Sequence, residues 1–283
     1  IKAARKYSFD RYGAGRNVVV SLVNSFHGRT MATLTATGQD VFHNYFGPFN
    51  EGFVYVPAND ENALKAALDA DNVCAVIMEM VQGEGGVMAL DKDYVSKAVQ
   101  LCRSRDVLVI VDEVQTGMGR TGTLFAYQQY DFMPDIVSMA KGLGGGLPIG
   151  AVGVSAAVAA GMGPGSHGST FGGNPVVCAG ANVVMDKLLA PGFLQNVNQR
   201  AAQLRAGLTA LPHVAEVSGL GLMVGIRLEA PLQAADVLAA ARQKGLLCLT
   251  AKTRLRLLPP LILTEQDVDK ALDILGKVLA EMG

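Results

Sequence analysis

The sequence contains no tryptophan, and only 6% of its 283 residues are aromatic. Its core therefore has to be built mainly from Val, Ile, Leu, Ala and Met. Cysteine is scarce and dispersed: Cys74, Cys102, Cys178 and Cys248 stand singly, without a C-x-x-C pair. That spacing excludes a disulfide framework and a thiolate metal site, and each cysteine reads as a buried, reduced thiol. The four histidines, His27, His43, His167 and His213, do not pair at ligand spacing, so no metal centre is expected. Charge of one sign is missing too: 24 basic residues against 25 acidic ones give a net charge of −1. Such a balance offers no electrostatic footing for nucleic acid or for an anionic membrane surface. Long hydrophobic runs are also absent, although mean hydropathy is positive at +0.28. Runs such as 107–111 (VLVIV) stop at strand length, well short of the ~20 residues of a spanning helix. The stretch 149–162 is Ala, Gly and Val broken by Gly and Ser, and reads as packed backbone. Neither a signal-peptide pattern nor an initial Met is present. The chain opens on what resembles the back half of a helix, so the beginning of that helix is expected upstream.

Half of the residues are apolar, which excludes a disordered chain and is enough for a large core. Strands are expected at 17–23, 73–79, 107–111, 136–140 and 149–155. Helices are expected at 61–71, 93–105 and 174–189, the last with Pro175 early in its first turn. Strands apolar on both faces, alternating with amphipathic helices, argue for an α/β fold with a mainly parallel sheet between helices. Beyond Ala190-Pro191-Gly192 the character changes. Helices at 194–211, 234–244 and 265–282 surround short strands at 221–228, 246–250 and 254–258, which suggests a smaller α+β unit. The expected domains are 1–190 and 191–283.

Polar clusters stand at the ends of the expected strands, where ligands bind in open α/β sheets. Ser25-Phe26-His27-Gly28-Arg29-Thr30 follows the first strand, Gln82-Gly83-Glu84-Gly85-Gly86 the second, Asp112-Glu113-Val114-Gln115 the third, and Lys141 with its glycines the fourth. Taken singly, each has an ordinary explanation: a helix cap, a solvated lysine, a tight turn. The glycines do not form a nucleotide loop. Lys141 precedes them instead of following, and in G-x-G-x-x-G registers Val224 and Leu147 occupy the last position. An Asp after one buried strand and a Lys after the next are what pyridoxal phosphate requires. The amine takes the cofactor aldehyde, and the carboxylate keeps the pyridine nitrogen protonated.

The stretches NSFHGRT (24–30), QGEGG (82–86), VDEVQTGMGRTG (111–122), PDIVSMAKGLGGGLPIGA (134–151), HGSTFGGNP (167–175) and RLRLLPPL (254–261) together resemble the class III pyridoxal-phosphate aminotransferases. They run in family order over nearly the whole chain. The resemblance implies an aspartate-aminotransferase-like fold: a mainly parallel, seven-stranded sheet with helices on both faces, plus a smaller C-terminal α+β domain. It implies transfer of the terminal amino group of N2-acetylornithine to 2-oxoglutarate in the cytoplasm, as part of arginine synthesis. Ornithine, succinylornithine or 4-aminobutyrate are alternative donors, and a remnant that only binds cofactor or a partner is the non-enzymatic alternative.

Carried over by motif position, Lys141 is the catalytic lysine that binds pyridoxal 5'-phosphate and shuttles the proton, in a site expected to be buried. Asp112 is the partner of the pyridine nitrogen, Gln115 bonds the ring hydroxyl oxygen, and Phe26 stacks on the ring. Thr170 is the phosphate contact reaching in from the other subunit of a homodimer, with Ser169 beside the substrate. Arg29 and Arg256 are the two carboxylate clamps, a task suited to the planar guanidinium fork. Glu84 is the acidic partner that neutralises Arg256 when the substrate brings no carboxylate to it, and a plain structural ion pair is the alternative. The helix start that holds the phosphate in the family lies upstream of Ile1, so a weaker grip on the cofactor is expected. The usual Glu-Pro before VQGEGG reads Glu79-Met80 here, which affects only the local turn.

Overall fold

A computed structural model describes residues 1–283. In chain order the elements are α1 (Lys2–Tyr12), β1 (Val18–Leu22), α2 (Met31–Ala36), β2 (Phe53–Val56), α3 (Glu61–Leu68), β3 (Val73–Met78), β4 (Val81–Gln82), β5 (Met88–Ala89), α4 (Lys92–Ser104), β6 (Leu108–Asp112), β7 (Ile136–Met139), β8 (Ala151–Val154), α5 (Ala156–Ala159), α6 (Pro175–Leu189), α7 (Phe193–Thr209), β9 (Val214–Leu220), β10 (Met223–Leu228), α8 (Ala234–Gln243), β11 (Leu249–Ala251), β12 (Arg254–Leu257) and α9 (Glu265–Met282). They form two compact units, one of residues 1–80, 90–115 and 127–185, the other of 81–89, 116–126 and 186–283. No single helix is long and apolar enough to cross a membrane.

The first unit is organised by a six-stranded sheet in the order β2-β1-β3-β6-β7-β8. All pairs are parallel except the last, where β8 runs antiparallel to β7. Seven strands were expected; this chain contributes six. β1, β3 and β6 are buried along their whole length, which explains why their sequences are almost entirely apolar and not alternating, broken only by Ser21 and by Asp112 at the end of β6. β8 departs from that pattern: it is an edge strand, and Val152 is exposed, so the packed-backbone expectation fails there. β2 had no counterpart in the sequence reading, because only four residues (FVYV) separate Gly52 from Pro57. α4 buries Val95, Ala98, Val99 and Cys102, a stripe at helical spacing, and α3 starts on an Asp60 cap that accepts the Ala63 N–H. α1 is fastened to the turn before β6 at Asp106, whose carboxylate accepts from Tyr7, Tyr12 and Arg11. Cys74 and Cys102 are buried as expected, whereas Cys178 and Cys248 are only half-buried.

The second unit holds the antiparallel sheet β11-β12-β10-β9 against α7, α8 and α9. Its core joins Val197, Leu204 and Leu208 of α7 with Leu222, Val224 and Ile226, and with Leu275 and Leu279 of α9. α9 begins with a reciprocal capping box between Thr264 and Asp267. Residues 116–126 are fixed to this unit by close backbone contact. A Cβ on Gly221 would meet the Thr121 backbone at 2.4 Å, and Arg120 donates to the carbonyls of Leu222 and Pro259 at 3.2 and 2.5 Å. Burial pushes the Arg120 guanidinium down to about 10. The β4-β5 hairpin belongs here as well, with Val81 and Val87 packed on Met223 and Ala251.

Candidate active site

In the first unit, polar residues converge where parallel strands end. The order β1-β3-β6-β7 sets the arrangement: His27 lies beyond β1, Glu79 beyond β3, Asp112 closes β6, and Ser138 lies opposite it in β7. His27 Nδ1 is 2.8 Å from Asp112 Oδ2, with both side chains almost fully buried. Asp112 Oδ1 accepts the Val114 N–H at 3.1 Å and the Ser138 hydroxyl at 2.9 Å. Burial alone would raise the Asp112 carboxyl, but the hydrogen bond and charge of His27, with the other two donors, outweigh it and hold it below its ordinary value. The reverse holds for His27: burial disfavours its charged form, yet Asp112, helped by Glu79, raises it above the usual imidazole value. Asp112 is therefore held as a carboxylate in the interior, with the His27 ring as its hydrogen-bond partner.

Glu79 lies between them at the end of β3, 3% exposed, and its Oε2 accepts the Phe26 N–H at 2.9 Å. Burial, reinforced by the charge of Asp112 and opposed by His27, the Phe26 N–H and Lys141, pushes its carboxyl up to about 8. The Phe26 ring meets Phe42 edge-on, with centroids 5.4 Å apart. The Arg29 guanidinium lies over both rings, 4.4 Å from the Phe42 centroid and 5.3 Å from that of Phe26. The exposed Arg29 is thus held by cation–π contact.

Lys141 follows β7 at the start of a single 3-10 turn, with a left-handed φ of 43°. β6 and β7 are neighbours and parallel, so Asp112 and Lys141 leave the sheet at the same edge. Lys141 is exposed within the chain, not buried as expected. Gln115 is half-buried beyond β6. Ser169 and Thr170 lie on the exposed turn before α6, beside Phe171, which is 83% exposed.

In the second unit, the loop of the β4-β5 hairpin carries Glu84 to Arg256 of β12. Arg256 Nη1 donates to Glu84 Oε1 at 2.8 Å and to the Gly83 carbonyl at 3.2 Å. Arg256 is buried, Glu84 is partly exposed, and the Arg256 Nε has no hydrogen-bond partner in the protein. A buried guanidinium with an unused donor edge suits a carboxylate ligand.

His27, Glu79 and Ser138 were not singled out from the sequence as site residues. Their signals were slight: adjacency to Phe26, a carboxylate closing an apolar run, and a lone hydroxyl in a strand. The donor set fits a pyridinium-bearing cofactor. Asp112 is an interior carboxylate kept ionised by its neighbours, with three donors on a group able to accept about four. A primary amine, Lys141, follows the adjacent strand.

A family model described as aminotransferase class III matches residues 1–279. The acetylornithine aminotransferase of Haemophilus ducreyi is 53% identical over 282 residues, covering 100% of this chain and 72% of that protein. The ornithine aminotransferase of Toxoplasma gondii, in a structure showing partial occupancy of PLP at its active site, superimposes with a TM-score of 0.93 at 34% identity, covering 99% of this chain and 68% of that one. The N-acetylornithine aminotransferase of Stenotrophomonas maltophilia K279a gives a TM-score of 0.84 at 35% identity, covering 99% and 71%.

Proposed function

Because the chain belongs to the class III aminotransferases, a pyridoxal-phosphate-dependent family, we propose that it moves the terminal amino group of N2-acetylornithine to 2-oxoglutarate. The products are N-acetylglutamate 5-semialdehyde and glutamate, a step of arginine synthesis in the cytoplasm. The observation that carries this reading is the Glu84–Arg256 pair, in which the buried Arg256 Nε has no hydrogen-bond partner. The donor reacts at its terminal amine, so its carboxylate lies far from the reacting carbon and is bound by Arg29. Arg256 then faces an uncharged part of the substrate, and Glu84 neutralises it. 2-Oxoglutarate carries a second carboxylate, which takes Arg256 from Glu84.

Pyridoxal phosphate, when bound, supplies an electrophilic carbonyl and a ring that accepts electrons. Lys141 would hold it covalently, and its Nζ would be the base that moves a proton at the substrate's reacting carbon. Asp112 would hold the ring nitrogen protonated, with His27 and Ser138 fixing the carboxylate. Gln115 would bond the ring hydroxyl oxygen, and Phe26 would cover one face. The exposed turn at Ser169 and Thr170 supports a homodimer in which each subunit lends this turn to the other's site, Thr170 to the phosphate and Ser169 to the substrate.

The test offers amine donors singly to the cofactor-loaded enzyme, with 2-oxoglutarate as acceptor. N2-acetylornithine should give the highest kcat/KM. A tenfold or greater preference for ornithine, succinylornithine or 4-aminobutyrate would replace this reading.

A further inference from the structure

The hairpin loop that presents Glu84 contains a residue in a conformation its side chain opposes. Val87 is fully buried and adopts a left-handed φ of 56°. A β-branched side chain crowds its own backbone there, so such a residue persists only where its surroundings enforce it. The enforcing surface is a notch made by two glycines of the antiparallel sheet. A Cβ on Gly219 would stand 2.8 Å from Val87 Cγ1; one on Gly225 would stand 2.8 Å from Val87 Cβ and 3.1 Å from the Gly86 carbonyl oxygen. Both sites also press on the sheet itself, a Gly219 Cβ at 2.1 Å from the Met223 carbonyl oxygen and a Gly225 Cβ at 2.7 Å from the Ser218 hydroxyl, so neither glycine leaves room for a side chain beside Val87. Val81, Met223 and Ala251 close round Val87 from the remaining sides.

The register gives this notch its meaning. Gly225 of β10 is the direct cross-strand partner of Arg256 of β12. Val87 and Glu84 belong to one short loop, and they engage two adjacent positions of one sheet: Val87 at Gly225, Glu84 at Arg256. The seating depth of Val87 therefore sets how closely the Glu84 carboxylate approaches the guanidinium.

We propose that Val87, seated in the Gly219–Gly225 notch, is a positioning residue that fixes Glu84 against Arg256 and so tunes how readily Arg256 changes partner. The second half of that statement rests on the reading of Glu84 as the exchangeable partner of Arg256. The seating itself does not.

The test is a double-mutant cycle between Glu84→Ala and Arg256→Ala, followed by denaturant unfolding of the cofactor-loaded enzyme. It is run in three backgrounds: Val87, Val87→Ala and Val87→Thr. Thr has the branched shape of Val and fills the notch, although its hydroxyl lowers stability. The Glu84–Arg256 coupling should fall by half or more with Val87→Ala and persist with Val87→Thr. Unchanged coupling in Val87→Ala, with only a loss of overall stability, overturns the proposal. A KM split gives the functional readout: Val87→Ala should raise KM for the amine donor about three- to tenfold while leaving that for 2-oxoglutarate unchanged or lower. Glu84→Gln assayed beside it separates the two claims. If Glu84→Gln leaves both KM values unchanged, the exchange reading fails and the coupling alone decides the seating. If Glu84→Gln splits them and Val87→Ala does not, the tuning role is overturned.

Discussion

Two carboxylate–cation pairs, one in each unit, are built on opposite plans. Asp112 and His27 lie at the closed end of a parallel sheet, both almost fully buried, and share their surroundings with a third ionisable group, Glu79. Glu84 and Arg256 join a hairpin loop to an antiparallel strand, with the carboxylate partly exposed and one guanidinium nitrogen unused. Burial makes the first pair costly to separate, since Asp112 alone would be an uncompensated interior charge. The second pair has one member partly in solvent, so on the proposed reading an arriving carboxylate can take the place of Glu84. If the proposed roles hold, the anchor of the cofactor ring needs permanence and the substrate clamp needs exchange, and the two degrees of burial match those needs.

Four substitutions probe that contrast, from the largest expected effect to the smallest. Lys141→Ala should lower transamination by about 10³-fold or more, because covalent capture and proton transfer are lost together. Borohydride reduction of the cofactor-loaded wild-type enzyme should label Lys141 and no other lysine; an active Lys141→Ala enzyme would refute the role. Asp112→Ala should cost about 3–5 kcal/mol of folding stability by stranding His27, read as a lower denaturant midpoint. A loss below 1 kcal/mol would make the pair no more fixed than an exposed one.

Glu79→Gln should change stability in a pH-dependent way. The folded carboxyl stays protonated up to about 8, whereas the unfolded one ionises near 4.5. Between those values the native state binds the extra proton, so wild-type stability falls as pH rises through this window. The glutamine, which still accepts the Phe26 N–H, escapes that loss. It should match wild type at pH 4 and exceed it by about 2–4 kcal/mol near pH 8. A parallel pair of stability curves would refute the assignment. Glu84→Gln should be the mildest, about 1–2 kcal/mol, confined to the half-reaction with the amine donor. Single-turnover absorbance changes measure each half separately, and equal losses in both would remove the contrast between the pairs.

Much of the sheet was legible because burial on both faces leaves an unmistakable record: NVVVSLV, VCAVIME and VLVIV became β1, β3 and β6. β2 was not, since four residues bounded by Gly and Pro carry no periodicity. Nor was the allegiance of residues 81–89 and 116–126 to the second unit, because neither stretch shows a compositional break. The same divide runs through the site. Asp112, Lys141, Glu84 and Arg256 were visible as charged residues in motifs. His27, Glu79 and Ser138 act through strand order, which brings together positions 53, 85 and 26 residues apart. Linear spacing holds no trace of that adjacency. Val87 was hidden more deeply, as an ordinary apolar residue whose importance lies in a backbone angle.

The Ser138–Asp112 contact also bears on how this enzyme can be redesigned. Ser138 and Asp112 are register partners, and the Glu113 N–H returns a bond to the Ser138 carbonyl, so the last rungs of β6 and β7 are tied twice. With the Asp112–Ser138 register kept, a one-residue insertion between Ser138 and Lys141 would carry Lys141 one step further along the chain from that rung. The two residues between Ser138 and Lys141 thus work as a ruler. A change in this interval would shift Lys141 relative to Asp112. A library meant to widen the range of amines should diversify the arginine-bearing segments and leave 136–141 at its native length.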